Sequence, residues 1–246
     1  MGKQLNKLIK ILLPRRIKDF ILNRVNKYFE EQTYTSISYA QEGEDLIVNR
    51  FFDKQKKGFY IDVGAHHPKR FSNTYFFYKK GWSGINIDPM PEIMTKFKSV
   101  RPRDINLELG VSDKKRELLY YMFNESALNT FSKQLASQRD GFGSNKLIGE
   151  KLITISPLSA ILKKYLKPNQ SVDFLTIDVE GLDLQVLKSN DWSLYRPKLI
   201  LVECLQTKTG NTSFQNDEII EYLISLDYMP IASTINTSFF KCLKNV

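Results

Sequence analysis

Three acidic turns stand out in this chain, each following a short apolar run. In the first, Phe59-Tyr-Ile-Asp62-Val-Gly64-Ala65-His66-His67-Pro68, a strand meets a glycine where the backbone must turn tightly and let a ligand approach. The second, Ile85-Asn-Ile-Asp88-Pro89, ends in a carboxylate placed to accept hydrogen bonds from both hydroxyls of an adenosine ribose. The third, Phe174-Leu-Thr-Ile-Asp178-Val-Glu180-Gly181-Leu-Asp183, gathers three carboxylates within six residues. Such a group is costly to bury unless a proton, cation or ligand neutralises it. Ribose recognition and proton or cation chemistry are the themes.

The glycines decide which nucleotide fits. A dinucleotide site needs Gly-x-Gly-x-x-Gly so that a pyrophosphate reaches bare backbone at a helix N-terminus. Here Gly64 stands alone before Ala65, His66, His67 and Pro68, so a pyrophosphate would meet side chains. An NAD-dependent oxidoreductase is therefore disfavoured. S-adenosylmethionine (SAM) has no phosphate and tolerates the bulkier loop. A further turn, Leu109-Gly-Val111-Ser112-Asp113, either borders the adenine or is an ordinary turn that its residue types favour anyway.

These turns need strands to hold them. Apolar strands at Phe59–Val63, Gly84–Ile87, Ile105–Leu109, Val172–Ile177 and Lys198–Glu203 alternate with polar or helical stretches. That alternation predicts an α/β, Rossmann-like fold, a mostly parallel twisted sheet with helices on both faces. Tyr228–Ala232 and Ser238–Leu243, joined by a turn at Thr234–Thr237, read as an antiparallel C-terminal edge pair. The long insertion Glu117–Ile155 is a lid over the carboxyl edge of the sheet or an extra hairpin with a surface loop. Domain boundaries are expected at 1–35, basic amphipathic helices, and 36–246, the catalytic domain.

Charge is uneven. Residues 1–31 hold eight Lys or Arg against Asp19, Glu30 and Glu31, more than half of the formal net charge of +9. The remainder is mixed in sign and requires no nucleic-acid groove. Within this segment apolar residues recur at helical spacing, and Pro14 should divide it into two helices. It is too interrupted for a membrane span and lacks the form of a signal peptide. Two readings stand: peripheral association with an anionic membrane surface, or docking on the catalytic domain or a second subunit of a homo-oligomer. Cys204 and Cys242, set among apolar residues, suit packed thiols in a reducing compartment, hence a cytoplasmic protein, with the inner membrane face as its peripheral site.

The motifs resemble those of the FkbM-type methyltransferases. They are Tyr39-Ala-Gln41-Glu-Gly43-Glu-Asp45, Tyr60-Ile-Asp-Val-Gly-Ala65, Ile87-Asp-Pro89, Gly110-Val-Ser-Asp113, Leu175-Thr-Ile-Asp-Val-Glu-Gly181 and Leu201-Val-Glu203, in the family's order. The resemblance implies a class I methyltransferase fold, SAM as donor and an acceptor site around the Asp178–Gly181 turn. By it, Asp62, Gly64 and Ala65 would shape the pocket for the SAM tail, Asp88 and Pro89 the ribose site, and Val111 and Ser112 the adenine border. Gln41 and Asp45 would reach the cofactor or acceptor from a preceding helix; helix capping and a solvated face are the plain alternative.

Methyl transfer from a sulfonium is an in-line displacement in which positioning does most of the work and the acceptor's proton must be removed. Asp178, Glu180, His66 and His67 are the candidate bases. The Asp-Val-Glu-Gly turn replaces the Asn/Asp-Pro-Pro-aromatic pattern of base amino-methylating enzymes, which favours a hydroxyl on a sugar, glycan or other small molecule. An RNA methyltransferase and a non-catalytic membrane-associated binding protein are the alternatives. No metal ligand is assigned. Should Asp178 and Glu180 hold a divalent cation, Glu203 at the end of the next strand would supply a third oxygen.

Overall fold

Strands buried on both faces read as mostly apolar runs, and short runs of this kind build the centre of the molecule. The computed structural model describes residues 15–204 and 217–244. The chain divides into two units, Met1–Ile37 and Ser38–Val246. In the first, the described element is the helix Arg15–Thr33. The helix expected before Pro14 lies outside the described residues. Among the described residues no helix is long and apolar enough to cross a membrane.

Among the described residues the second unit carries ten strands: β1 (Phe59–Val63), β2 (Ser83–Asp88), β3 (Ile105–Glu108), β4 (Gly110–Val111), β5 (Arg116–Phe123), β6 (Leu147–Ser156), β7 (Phe174–Ile177), β8 (Leu199–Glu203), β9 (Tyr228–Ser233) and β10 (Thr237–Cys242). Seven form one sheet in the order β3-β2-β1-β7-β8-β10-β9. Its first five strands are parallel, and β10 runs antiparallel to both β8 and β9. The expected C-terminal pair is present, with only β9 at the edge. The side chains explain the order: β10 buries Phe239 and Phe240 on opposite faces, whereas β9 exposes Met229 and Ile231 and carries Pro230, which an edge strand tolerates.

Ile61, Val63, Ile85, Ile87, Leu175, Ile177, Ile200 and Val202 build one face of the core, packed with the helices Leu158–Tyr165, Asp183–Lys188 and Asp217–Ser225. Tyr60, Phe174, Leu199, Leu201 and Phe239 build the other, against Val48 of the helix Glu44–Phe51 and Phe77 and Tyr78 of the helix Tyr75–Lys79. The insertion is a hairpin: β5 and β6 pair antiparallel, and β4 adds in parallel to β6. Between its strands lie a 3-10 turn, Ser126–Leu128, and the helix Lys133–Arg139.

Candidate functional site

Parallel strands of one sheet direct their carboxyl ends to one side, and the loops that follow β1, β2 and β7 meet the end of β8 there around a cavity of about 330 Å³. That volume lies at the small end of the range for cofactor sites. Of the residues singled out in the sequence, Gln41, Gly64, His66, Asp88, Pro89, Val111, Asp178 and Glu180 line it.

Gly64 adopts φ +85, and a Cβ there would lie 1.7 Å from the carbonyl oxygen of Asp178. The close approach expected of a ligand is made by protein backbone, which locks the β1 turn to the β7 turn. The amides of Gly64 and Ala65 both donate to Ile87 O, at 2.9 and 3.1 Å, tying the same turn to β2. Asp88 accepts from His66 N at 2.7 Å and Met90 N at 2.8 Å, one bond per oxygen, which leaves a lone pair on each for a ligand. Burial pushes its pKa up to about 6, partly offset by those amides.

His66 sits at φ 51, stacked on Phe71 at 6.2 Å between ring centroids. Its Nε2 is buried with no hydrogen-bond partner among the described residues. Burial and the nearby Arg70 charge bring its pKa down to about 4, so the ring is neutral at pH 7.

The β7 turn carries the densest charge. Asp178, Glu180 and Glu203 each place one oxygen within 4.8 Å of the other two. Asp178 opens to the cavity's solvent but is enclosed by protein on its other sides. Burial, then the charge of Glu180, holds its carboxyl well above the usual range; burial and the Asp178 charge do the same to Glu203. Glu180, itself at φ 54, pairs with Arg139, and its backbone oxygen accepts from Thr130 Oγ1 at 2.9 Å. The inserted hairpin therefore closes over the acidic turn. A second clamp crosses the opening: Arg70 donates to both oxygens of Glu125 at 3.0 Å. Tyr120, Asn129 and Phe131 of the insertion join Val111 in the wall.

Five residues from the sequence reading lie elsewhere. Asp45 is buried and accepts from Ser38 Oγ at 2.6 Å and Tyr39 N at 2.7 Å, so it fastens the preceding loop to the first turn of its helix. Asp62 faces away from the cavity and accepts from Thr74 Oγ1. Thr74 Oγ1 in turn accepts from Arg101 Nη2 at 2.9 Å. Ala65 packs against Ile93, Met94 and Phe97. Ser112 is buried beside the cavity wall, its amide donating to Ser156 O. Nδ1 of His67 accepts from the amides of Lys69 and Arg70 at 3.1 and 3.0 Å, which shapes the loop.

Other cavity residues were assigned no role in the sequence: Glu42 and Glu44 lie within the Tyr39–Asp45 motif, and Asn236 lies in the turn before β10. Glu42 accepts from Asn236 Nδ2 at 2.6 Å and Asn236 N at 3.0 Å, joining the turn before β10 to the segment before the helix Glu44–Phe51. The buried Glu44 accepts from Glu42 N at 2.8 Å. These partners are 194 residues apart, so nothing local announces them.

Sheet order, the antiparallel β10 and the cavity at the carboxyl ends of the strands define a Rossmann-like fold of the class I methyltransferase type. Residues 62–230 match the model of the methyltransferase FkbM domain, and the chain belongs to that family. It is a SAM-dependent methyltransferase. No curated protein matches the sequence. Among solved structures it is similar to a TehB-like SAM-dependent methyltransferase from Corynebacterium glutamicum, with 9% identity over 89% of this chain and 96% of that one and a TM-score of 0.43. Another is the 1,6-didemethyltoxoflavin-N1-methyltransferase of Burkholderia thailandensis, with 12% identity, 95% and 92% coverage and a TM-score of 0.42. A third is an O-methyltransferase from Bacillus cereus, with 10% identity, 98% and 97% coverage and a TM-score of 0.39. Likeness at these levels bears on neither acceptor nor residue roles.

Proposed function

We propose that this protein transfers the methyl group of SAM to a hydroxyl of a sugar, glycan or other small polyhydroxylated molecule. One observation carries the reading: Asp178 presents a carboxylate of raised proton affinity to the cavity, backed by Glu180 and Glu203. A sugar hydroxyl is a weak acid, and a carboxylate tuned toward neutrality is the better base for it. The acceptor oxygen attacks the methyl carbon, the bond from carbon to sulfur breaks with its electron pair going to sulfur, and the acceptor's proton passes to Asp178.

In this reading Asp88 holds the ribose hydroxyls. Gly64 and His66 flank the amino-acid tail, and Val111, Tyr120 and Phe131 border the adenine. A polyanionic acceptor such as RNA is disfavoured by the wall formed by Glu42, Glu44, Asp178, Glu180 and Glu203, because like charges brought together in a partly dehydrated cavity repel.

The test is a screen of isotopically labelled SAM against neutral glycosides, glycolipids, nucleotide sugars and RNA, with mass analysis of the product. Label on a hydroxyl oxygen is the expected outcome. Label on nitrogen, or on RNA alone, would replace the proposal.

A further inference from the structure

Three carboxylates share one corner of the cavity with a single cation. Asp178 and Glu180 come from the turn after β7 and Glu203 from the end of β8, and Arg139 pairs with Glu180. Among the described residues Asp178 and Glu203 form no ion pair. With these three ionised and the buried Asp183 held on the Val179 and Gly181 amides of the same turn, negative charge in the corner far exceeds the one arginine. A second feature is independent of the charge count: Oε2 of Glu203 is shut off from solvent and has no hydrogen-bond partner among the described residues. An orphaned buried carboxylate oxygen costs free energy unless something completes it.

We propose that Asp178, Glu180 and Glu203 form a site for one divalent cation. The donors are all carboxylate oxygens, with no cysteine or histidine among them, which selects a hard ion such as Mg²⁺, Ca²⁺ or Mn²⁺. Oxygens on opposite sides of such ions stand about 4.2 Å apart for Mg²⁺ and about 4.8 Å for Ca²⁺, comparable to the spacing here. A divalent ion also offsets two of the negative charges gathered there, and it gives the orphaned oxygen a partner. The opening of Asp178 to the cavity leaves the ion a face for an acceptor. Its role there is to lower the pKa of a coordinated hydroxyl, while the second oxygen of Asp178 stays free to take the proton. That role rests on the hydroxyl-acceptor reading above; the site itself does not.

The experiment titrates the full-length, untagged protein with Mn²⁺, following the electron paramagnetic resonance signal of the free ion. Mg²⁺ and Ca²⁺ serve as competitors, and S-adenosylhomocysteine (SAH) binding is measured by calorimetry in parallel. One ion per chain is expected, displaced by Mg²⁺ or Ca²⁺ and bound at least about tenfold more weakly by Glu203→Gln. Should Glu203→Gln lose its fold, Glu180→Gln makes the same comparison. Protein that binds SAH yet takes up no ion at millimolar concentration overturns the site, as does uptake that both variants leave unchanged. Glu203-dependent ion uptake without SAH binding upholds the site and removes the donor assignment instead.

Discussion

Two clusters of charge flank the central strands, and they are built on opposite rules. Around Arg101, which is fully buried, every charge is answered by the protein. Its Nε donates to Asp104 at 2.9 Å and its Nη2 to Tyr60 Oη at 2.8 Å and Thr74 Oγ1 at 2.9 Å. Asp104 also accepts from Tyr60 Oη, Gly84 N and Asn86 Nδ2. At Asp178, Glu180 and Glu203 one arginine among the described residues serves three acids, and Oε2 of Glu203 is left without a partner among them. A strand-end carboxylate is thus no signature of a site by itself. Asp62 ends its chain of bonds inside the protein, and Asp178 does not.

If the Arg101 cluster is purely structural, breaking it should cost folding and nothing else. Arg101→Ala leaves Asp104 and Asp62 as uncompensated buried charges, and the expected loss is about 4 kcal/mol of stability. A urea titration followed by circular dichroism measures it. Wild-type stability in this variant would mean that the network is not holding β1 and β2 together.

The next effect probes the joint between the two regions. Gly64→Ala puts a methyl group into the space occupied by the Asp178 carbonyl and a side chain on a left-handed backbone. About 3 kcal/mol of stability should be lost. SAH affinity should fall with it, because the β1 and β7 turns can no longer keep their spacing. Calorimetry showing normal SAH affinity in a folded Gly64→Ala protein would contradict the coupling.

Substitution at the open cluster should do the reverse of substitution at the closed one. Asp178→Asn removes one of three mutually repelling acids, so stability at neutral pH should hold or rise, and SAH affinity should stay within about threefold. Turnover with the acceptor from the screen should fall at least about a hundredfold, the usual worth of a positioned base. Loss of cofactor affinity as large as the loss of rate would move Asp178 from the acceptor to the donor side.

The contrast between the clusters also marks what the sequence could and could not show. Interior strands were legible because parallel strands buried on both faces are mostly apolar, and β1, β2 and β8 lie within two residues of their expected limits. The insertion was legible as a hairpin or a lid, and it is a hairpin that lines the cavity. The folding of Arg139 and Thr130 back onto Glu180 was not, since those contacts join segments 41 and 50 residues apart. Asp62 illustrates the harder limit. Residues 60 and 62 point to the same face of β1, so an acid there needs a buried partner, and Arg101 lies in a turn with no pattern to reveal it. Glu42, Glu44 and Asn236 reach the cavity through contacts between the two ends of the domain, which no local spacing encodes.

The smallest effect concerns Asp88, which stands between the two rules: each oxygen is held by one amide, yet it faces the cavity. Its carboxyl has a pKa pushed up to about 6 by burial. A ribose hydroxyl donates best to the ionised form, so binding favours the deprotonated carboxylate, and protonation competes with it. Affinity is therefore full above the pKa and is lost as the pH falls through it. Between about pH 7.5 and about pH 5.5, SAH affinity should drop about fourfold if the complex keeps Asp88 ionised. His66 stays neutral across this window because its pKa lies near 4, so it does not add to the slope. Asp88→Asn should bind more weakly and lose most of the pH dependence. A wild-type affinity flat over the same range would place the ribose elsewhere and leave Asp88 as a brace for the loop after β1.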